Sequence, residues 1–315
     1  MIQRVAIIGT GVIGSGWIAR LLQHGITVAA YDPAPGYREQ LNAKVQLATE
    51  SLKRTGVCEH FEMSNLTLCD SLAEACRDAD WIQENGPENI EIKHSIHREI
   101  EAAARSTAII ASSSSGLLPT DIQSVYQQPE RLIIGHPFNP VYLLPLVEIV
   151  GGNGTSEVTI DQAKAFYRHI GMKPLHVRKE IEGYLSDRLQ EALWREILHL
   201  VNDDVATTDE LDDAIIYGPG LRWAIMGTCL TFHLAGGDNG MRHMLEQFGP
   251  ALKLPWTKLE APELTDELID KMVAGTQAQA GEQSVAELEK LRDDCLVETM
   301  RALKKYQVGA GKLIN

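Results

Sequence analysis

The chain has 315 residues, 44% hydrophobic and 23% charged, which suits one large folded domain or, more commonly, two. A formal charge of −14 argues against a nucleic-acid partner, which needs basic grooves, and weakly against a polyanionic substrate. No run approaches the roughly 18 apolar residues of a membrane span, so no membrane role is expected.

The N-terminus enters a strand at once, Arg4 to Ile8, which leaves no room for a signal peptide. The five cysteines are Cys58, Cys69, Cys76, Cys229 and Cys295. They follow no zinc or disulfide spacing, so the expectation is a reducing cytoplasm and no metal. The first half then alternates short apolar runs with helical patterns. Strands are predicted at Val5–Ile8, Thr27–Tyr31, Trp81–Ile82, Ala108–Ala111, Leu132–Ile134, Leu146–Val150 and near Leu175–Val177. Helices are predicted at Gly14–Gln23, Arg38–Lys53, Leu72–Arg77, Ile90–Ala104 and near Glu157–Ile170. This alternation implies a mostly parallel sheet with helices on both faces.

From Glu182 the pattern is helical. Leu185, Leu189, Leu193, Ile197, Leu200 and Val201 recur at three- and four-residue steps, one apolar face of a long helix. Thr207-Thr208-Asp209-Glu210 reads as a capping box opening the next helix. Further helices are predicted near Thr265–Ala274 and Ala286–Tyr306, and a loose tail from Gly309. The expected fold is therefore α/β: a Rossmann-type domain over 1–180, then an all-helical substrate and dimerisation domain over 181–315.

Gly9-Thr10-Gly11-Val12-Ile13-Gly14 follows the first strand and opens the first helix. Glycines there permit a tight turn, close approach of a pyrophosphate and close strand–helix packing. The helix start offers free amides and a positive dipole to the phosphates. Asp32 ends the next strand, 18 residues after Gly14. Its carboxylate would accept from a ribose 2′-hydroxyl and repel a 2′-phosphate, so NAD is expected rather than NADP. The competing explanation is a glycine-rich turn in some other α/β protein; FAD is a further alternative, without a second flavin signature.

His136-Pro137-Phe138-Asn139-Pro140, with Glu148 twelve residues on, is the chemical centre. The proline after His136 favours extended or turn geometry, which presents the imidazole at a strand end. An imidazole is neutral over much of the physiological range and can take a hydroxyl proton while hydride leaves the carbon. Glu148 sits in the apolar run Leu146–Val150, where a charge wants a partner. A structural, hydrogen-bonded histidine and a surface carboxylate are the bland alternatives.

Glu84-Asn85-Gly86-Pro87-Glu88-Asn89 with Lys93, the run Ser112-Ser113-Ser114-Ser115-Gly116-Leu117, and His136-Pro137-Phe138-Asn139-Pro140 with Glu148 follow the glycine motif in order. Over about the first 200 residues this set resembles the 3-hydroxyacyl-CoA dehydrogenase family. The resemblance implies a Rossmann-type domain, a helical second domain and NAD-dependent oxidation of a 3-hydroxyl to a ketone. It makes His136 the base and Glu148 the group that holds its other nitrogen. It matches Ser115 to a serine that hydrogen-bonds the reacting oxygen, with Ser114 an alternative one position away. Asn139 and Glu84 are matched to cofactor-side contacts, with Glu88 and Lys93 as weaker matches.

The chain departs from the family where an asparagine–arginine pair is typical: Asp187-Arg188 stands there. A carboxylate in place of a neutral amide would oppose an anionic thioester and favour a cation; a plain ion pair is the competing account. Three stretches narrow the resemblance further: Tyr217–Ala224, Phe232–Gly237, and Phe248-Gly249-Pro250 with Pro255–Lys258. They are similar to the family branch that acts on a small 3-hydroxy acid bearing a quaternary ammonium, in a cytoplasmic homodimer. Such a cation is held by aromatic faces and diffuse negative charge. Tyr217, Trp223 and Phe232 are the cage candidates, with Asp187 for charge and Arg188 or Arg222 for the substrate carboxylate. Packing in a helical dimer core is the bland account of the aromatics. The rivals are a hydroxyacyl-CoA or gulonate dehydrogenase of the same family and a non-catalytic NAD-binding protein.

Overall fold

A computed structural model describes residues 2–55, 61–224, 226–236, 238, 240–258, 263 and 265–313. Cys58 and Gly237 lie outside the described residues. Strands and helices alternate from the start: β1 (Arg4–Ile8), α1 (Val12–Gln23), β2 (Thr27–Tyr31), α2 (Tyr37–Arg54), β3 (Leu66–Leu68), α3 (Leu72–Cys76) and β4 (Trp81–Glu84). There follow α4 (Ile90–Ala103), β5 (Ile109–Ser112), α5 (Pro119–Gln123), β6 (Leu132–Pro137), β7 (Leu146–Gly151), α6 (Glu157–His169) and β8 (Lys173–Val177). The rest is helical: α7 (Ser186–Asn202), α8 (Thr208–Ile216), α9 (Gly220–Trp223), α10 (Thr228–Ala235), α11 (Gly240–Phe248), α12 (Asp266–Ala280) and α13 (Val285–Tyr306).

The eight strands form one sheet in the order β3-β2-β1-β4-β5-β6-β7-β8. Every neighbouring pair is parallel except β6 and β7. The mostly parallel Rossmann-type sheet is thus as the sequence suggests. Its strand order reverses direction on either side of β1, and the crevice at such a switch point is where open α/β sheets bind ligands.

Alternate residues of β1 serve opposite faces, as the pleat requires. Val5 and Ile7 pack with Trp17, Leu21 and Leu22 of α1 and with Phe166 and Tyr167 of α6. Ala6 and Ile8 join Ile100 of α4, Ile122 of α5 and Tyr184 on the other face. Coverage on both faces explains why these strands read as continuous apolar runs.

By its internal contacts the chain divides into two compact units. The first runs through Asp187 and includes Asp293–Ala302; the second is Arg188–Arg292 with Leu303–Lys312. In the first, Tyr142 and Ser51 hydrogen-bond to Asp293, and Arg54 pairs with Asp294. The second carries the expected capping box: Thr207 accepts from the Glu210 amide, and Glu210 accepts from the Thr207 amide. Lys258 and Lys271 pair there with Asp203 and Asp204. Among the described residues no helix is long and apolar enough to cross a membrane.

Candidate active site

The glycine motif forms the β1–α1 turn. Gly9 has φ +87°, a left-handed backbone that favours glycine, and a Cβ on Gly14 would stand 1.9 Å from the Gly9 carbonyl oxygen. A Cβ on Gly11, by contrast, would meet no atom within 4 Å. Gly11 is also the N-cap of α1 and offers no side-chain cap. The first amides of α1 thus have no side-chain cap from Gly11, which suits them to a pyrophosphate. Asp32, at the end of β2, accepts from the Thr10 amide at 2.6 Å and the Thr10 hydroxyl at 3.1 Å, while the Ala34 amide donates to its other oxygen at 2.9 Å. It thus pins the glycine turn from the ribose side. Arg38, the nearest arginine beyond Asp32, is paired with Asp70.

Behind this turn lies a buried ionic cluster. Glu84, at the end of β4, is fully buried. Both its oxygens lie 3.0 Å from Lys93 Nζ, its Oε2 meets His97 Nε2 at 3.1 Å, and it accepts from the Ser112 hydroxyl and the Gly86 amide. Burial pushes the Glu84 carboxyl up, but the hydrogen bond from His97, the charges of His97 and Lys93 and the Ser112 hydroxyl outweigh it and hold it at about 2. The Tyr126 hydroxyl closes the far side, 2.6 Å from His97 Nδ1. The Glu84 side chain is therefore enclosed rather than open to the cleft, and Lys93 is its counter-ion. His97 and Tyr126 gave no sequence signal, since neither falls in a recognisable motif.

Glu88 knits the serine run in place. One of its oxygens accepts from the Ser114 hydroxyl and from the amides of Ser115 at 3.0 Å, Gly116 at 2.9 Å and Leu117 at 3.3 Å. The Ser114 hydroxyl is committed to that bond, whereas the Ser115 side chain is exposed. Asn139 is exposed on the segment after β6.

His136 and Glu148 are directly opposite in the antiparallel β6–β7 ladder, so both side chains project from one face. His136 Nδ1 lies 3.0 Å from Glu148 Oε2. The other Glu148 oxygen accepts from the Leu185 and Ser186 amides at 3.0 Å each, so this buried carboxylate also caps the start of α7. Burial pushes the Glu148 carboxyl up; the bonds from His136, Ser186 and Leu185 overcome that and hold it below the usual carboxylate range. An ionised Glu148 can only accept, so Nδ1 carries a proton, and in the neutral imidazole Nε2 holds the lone pair.

The turn that delivers those amides was not anticipated. Gly183 and Tyr184 both have positive φ, and the buried Tyr184 ring packs 5.5 Å from the His136 ring, opposite Phe138 at 5.4 Å. The Tyr184 hydroxyl donates to the Leu117 carbonyl at 2.7 Å, which ties this turn to the serine segment. The turn also brings Asp187 Oδ2 to 3.7 Å from His136 Nε2. The remaining substrate candidates belong to the second unit: exposed Arg188 on α7, Tyr217 (76% exposed) after α8, Arg222 and Trp223 (38%) on α9, and Phe232 (44%) on α10.

These residues can bind a dinucleotide, hold one imidazole nitrogen protonated and present the other to a hydroxyl. Among the described residues no group of three His, Cys, Asp or Glu side chains is placed to hold a metal ion.

Comparison with known proteins agrees with this geometry. Residues 4–181 match the family model of the 3-hydroxyacyl-CoA dehydrogenase NAD-binding domain, and residues 183–283 match that of its C-terminal domain. An L-carnitine dehydrogenase of a Pseudomonas species is 57% identical over 302 residues, covering 96% of this chain and 94% of that protein. The L-carnitine dehydrogenase of Oceanobacillus iheyensis is 56% identical, covering 96% and 99%. Among solved structures, 5-formyl-3-hydroxy-2-methylpyridine 4-carboxylic acid 5-dehydrogenase, an NAD+-dependent dismutase, superimposes with TM-score 0.82 at 27% identity, covering 96% of this chain and 99% of that one.

Proposed function

The chain belongs to the 3-hydroxyacyl-CoA dehydrogenase family and is an NAD-dependent 3-hydroxy acid dehydrogenase; on that premise we propose that it oxidises the 3-hydroxyl of L-carnitine to 3-dehydrocarnitine, with His136 as general base. The observation that carries the mechanism is the Glu148–His136 pair, with Nδ1 held at 3.0 Å and Nε2 left to accept a proton. The substrate is read from the L-carnitine dehydrogenases that match this chain over nearly its whole length.

NAD supplies the hydride acceptor when bound. The amides at the start of α1 would hold its phosphates, and Asp32 would hold its ribose. With Arg38 paired to Asp70, the carboxylate at Asp32 keeps its preference for an unphosphorylated ribose. His136 Nε2 takes the hydroxyl proton, and the Glu148 carboxylate stabilises the resulting imidazolium. The Ser115 hydroxyl, exposed where that of Ser114 is engaged, hydrogen-bonds the reacting oxygen. Glu84 acts as a positioning residue: it fixes the segment carrying Asn85 and Gly86 beside the glycine turn. Asn139, on the rim, completes the cofactor side. Tyr217, Trp223 and Phe232 supply aromatic faces for the trimethylammonium, and Arg222 or Arg188 meets the carboxylate.

A small cationic substrate fits the charge pattern better than a CoA ester. Of the basic pair Lys53-Arg54, the candidates to meet nucleotide phosphates, Arg54 is engaged by Asp294. We read the enzyme as a cytoplasmic homodimer. Leu189 (74% exposed), Leu193, Trp194, Leu221, Leu252 and Trp256 leave much apolar surface uncovered, and a second copy is the occupant that fits an enzyme of this family. Free buried Cys69 and Cys76 suit a reducing compartment.

The test is NADH absorbance from purified protein and NAD with L-carnitine, 3-hydroxybutyryl-CoA or L-gulonate, each alone. Turnover with carnitine is expected. Turnover confined to the CoA ester or to gulonate would replace the substrate and leave the His136 chemistry standing. No turnover with any of the three would favour a non-catalytic NAD-binding protein.

A further inference from the structure

Nδ1 of His136 is occupied by Glu148, so a substrate hydroxyl must approach Nε2, at a hydrogen-bond distance of about 2.6–3.2 Å. Asp187 Oδ2 already stands 3.7 Å from that nitrogen. Its carboxylate is 29% exposed, partly out of water and on the reacting side of the ring. Phe138 and Tyr184 flank the imidazole and bring no charge. Asp187 is held there by structure rather than by chance: it follows Leu185 and Ser186, whose amides are fixed on Glu148, and the left-handed Gly183-Tyr184 turn sets their direction.

We propose that Asp187 is the specificity-determining residue of the reaction: its carboxylate selects a 3-hydroxy acid that carries a cationic ammonium one carbon beyond the carbinol, and disfavours hydroxyacyl groups without that charge. This rests on the L-carnitine reading above.

The geometry leads there in two steps. A hydroxyl bound at Nε2 puts the carbons on either side of the carbinol within reach of Asp187. In carnitine the ammonium nitrogen is separated from the hydroxyl oxygen by two carbons, so it falls in the same small volume as the carboxylate. A quaternary ammonium cannot donate a hydrogen bond, and a nearby negative charge is what the protein can offer it besides aromatic faces. A thioester carbonyl in that place would meet an acceptor where it needs a donor, and the pairing would be repulsive.

The experiment compares L-carnitine with its isostere of the same hand that lacks the cation, 3-hydroxy-5,5-dimethylhexanoate, in which carbon replaces the ammonium nitrogen. Wild-type enzyme, Asp187→Asn and Asp187→Glu are assayed with saturating NAD, and NAD binding to each is measured by calorimetry as a check on folding. Wild type should favour carnitine over the isostere by about 10–100-fold in kcat/KM, the range for a partly exposed charge pair. In Asp187→Asn that preference should collapse to within about 3-fold, chiefly through a raised carnitine KM, and Asp187→Glu should restore part of it. Carnitine turnover by wild type with an unchanged preference in Asp187→Asn overturns this inference alone. Equal losses on both substrates also overturn it, because they assign Asp187 to positioning His136. No carnitine turnover by wild type overturns the substrate reading and this inference together.

Discussion

At the scale of single residues, the site depends on what each carboxylate can accept. Glu148 faces three N–H donors, from His136, Leu185 and Ser186. Glu148→Gln keeps an oxygen for the Leu185 and Ser186 amides, so the turn should survive. Its amide cannot stabilise the imidazolium, and its NH2 group favours the wrong tautomer of His136. The expected result is a fall in kcat of about 10²-fold or more with NAD affinity unchanged, read from steady-state kinetics beside calorimetry. A variant with wild-type kcat would show that Glu148 matters only to folding. His136, Glu148, Asp32 and the glycine motif were all legible in the sequence, because each sits in a spacing that chemistry imposes. Tyr184, His97 and Tyr126 were not. Their roles come from contacts with chain segments 13 to 67 residues away, which one sequence does not display.

Elements explain why the site holds its shape. The antiparallel β6–β7 pair places His136 against Glu148, and the run Leu146–Val150 announced the second strand but not its direction. Most strands and long helices could be read from apolar runs and helical spacing. β3 escaped notice because its three residues are half-buried or exposed and form no continuous run. α9, α10 and α11 escaped because glycines and exposed apolar residues blur the helical stripe in the second unit. In the serine segment after β5, Glu88 receives four donors, the Ser114 hydroxyl and the amides of Ser115, Gly116 and Leu117. Glu88→Ala should therefore loosen the segment carrying Ser115. The expected outcome is a fall in kcat/KM of about 10-fold or more and faster amide exchange at residues 114–117 than in wild type, seen by hydrogen-exchange mass spectrometry. Wild-type exchange at those amides would contradict the clamp.

Over the whole molecule, two buried carboxylates set the acid limit of stability. Glu84 and Glu148 both titrate below the ordinary carboxylate value of 4.5 in the folded chain, Glu84 at about 2. Each therefore stabilises the fold fully above the unfolded pKa, and that stability drains away as pH falls below about 4.5, for Glu84 down to about 2. Thermal midpoints should hold from pH 7 to about 5 and drop steeply below. Glu84→Gln leaves His97 without its anion and Lys93 with only the longer Glu88 contact at 3.9 Å, so it should lower the midpoint at pH 7 and flatten the fall at acid pH. A variant as stable as wild type at pH 7 would contradict the importance of the buried cluster. The net charge of −14 acts in the same whole-molecule sense, favouring small cationic ligands over polyanions.

The proton transfer we propose runs from a substrate hydroxyl to Nε2 of His136 while Glu148 holds Nδ1. It is tested most directly by kcat for L-carnitine oxidation in His136→Asn, with NAD affinity measured on the same preparation. A loss of about 10²–10⁴-fold in kcat with unchanged NAD binding is expected. A variant that binds NAD and keeps wild-type kcat would contradict it.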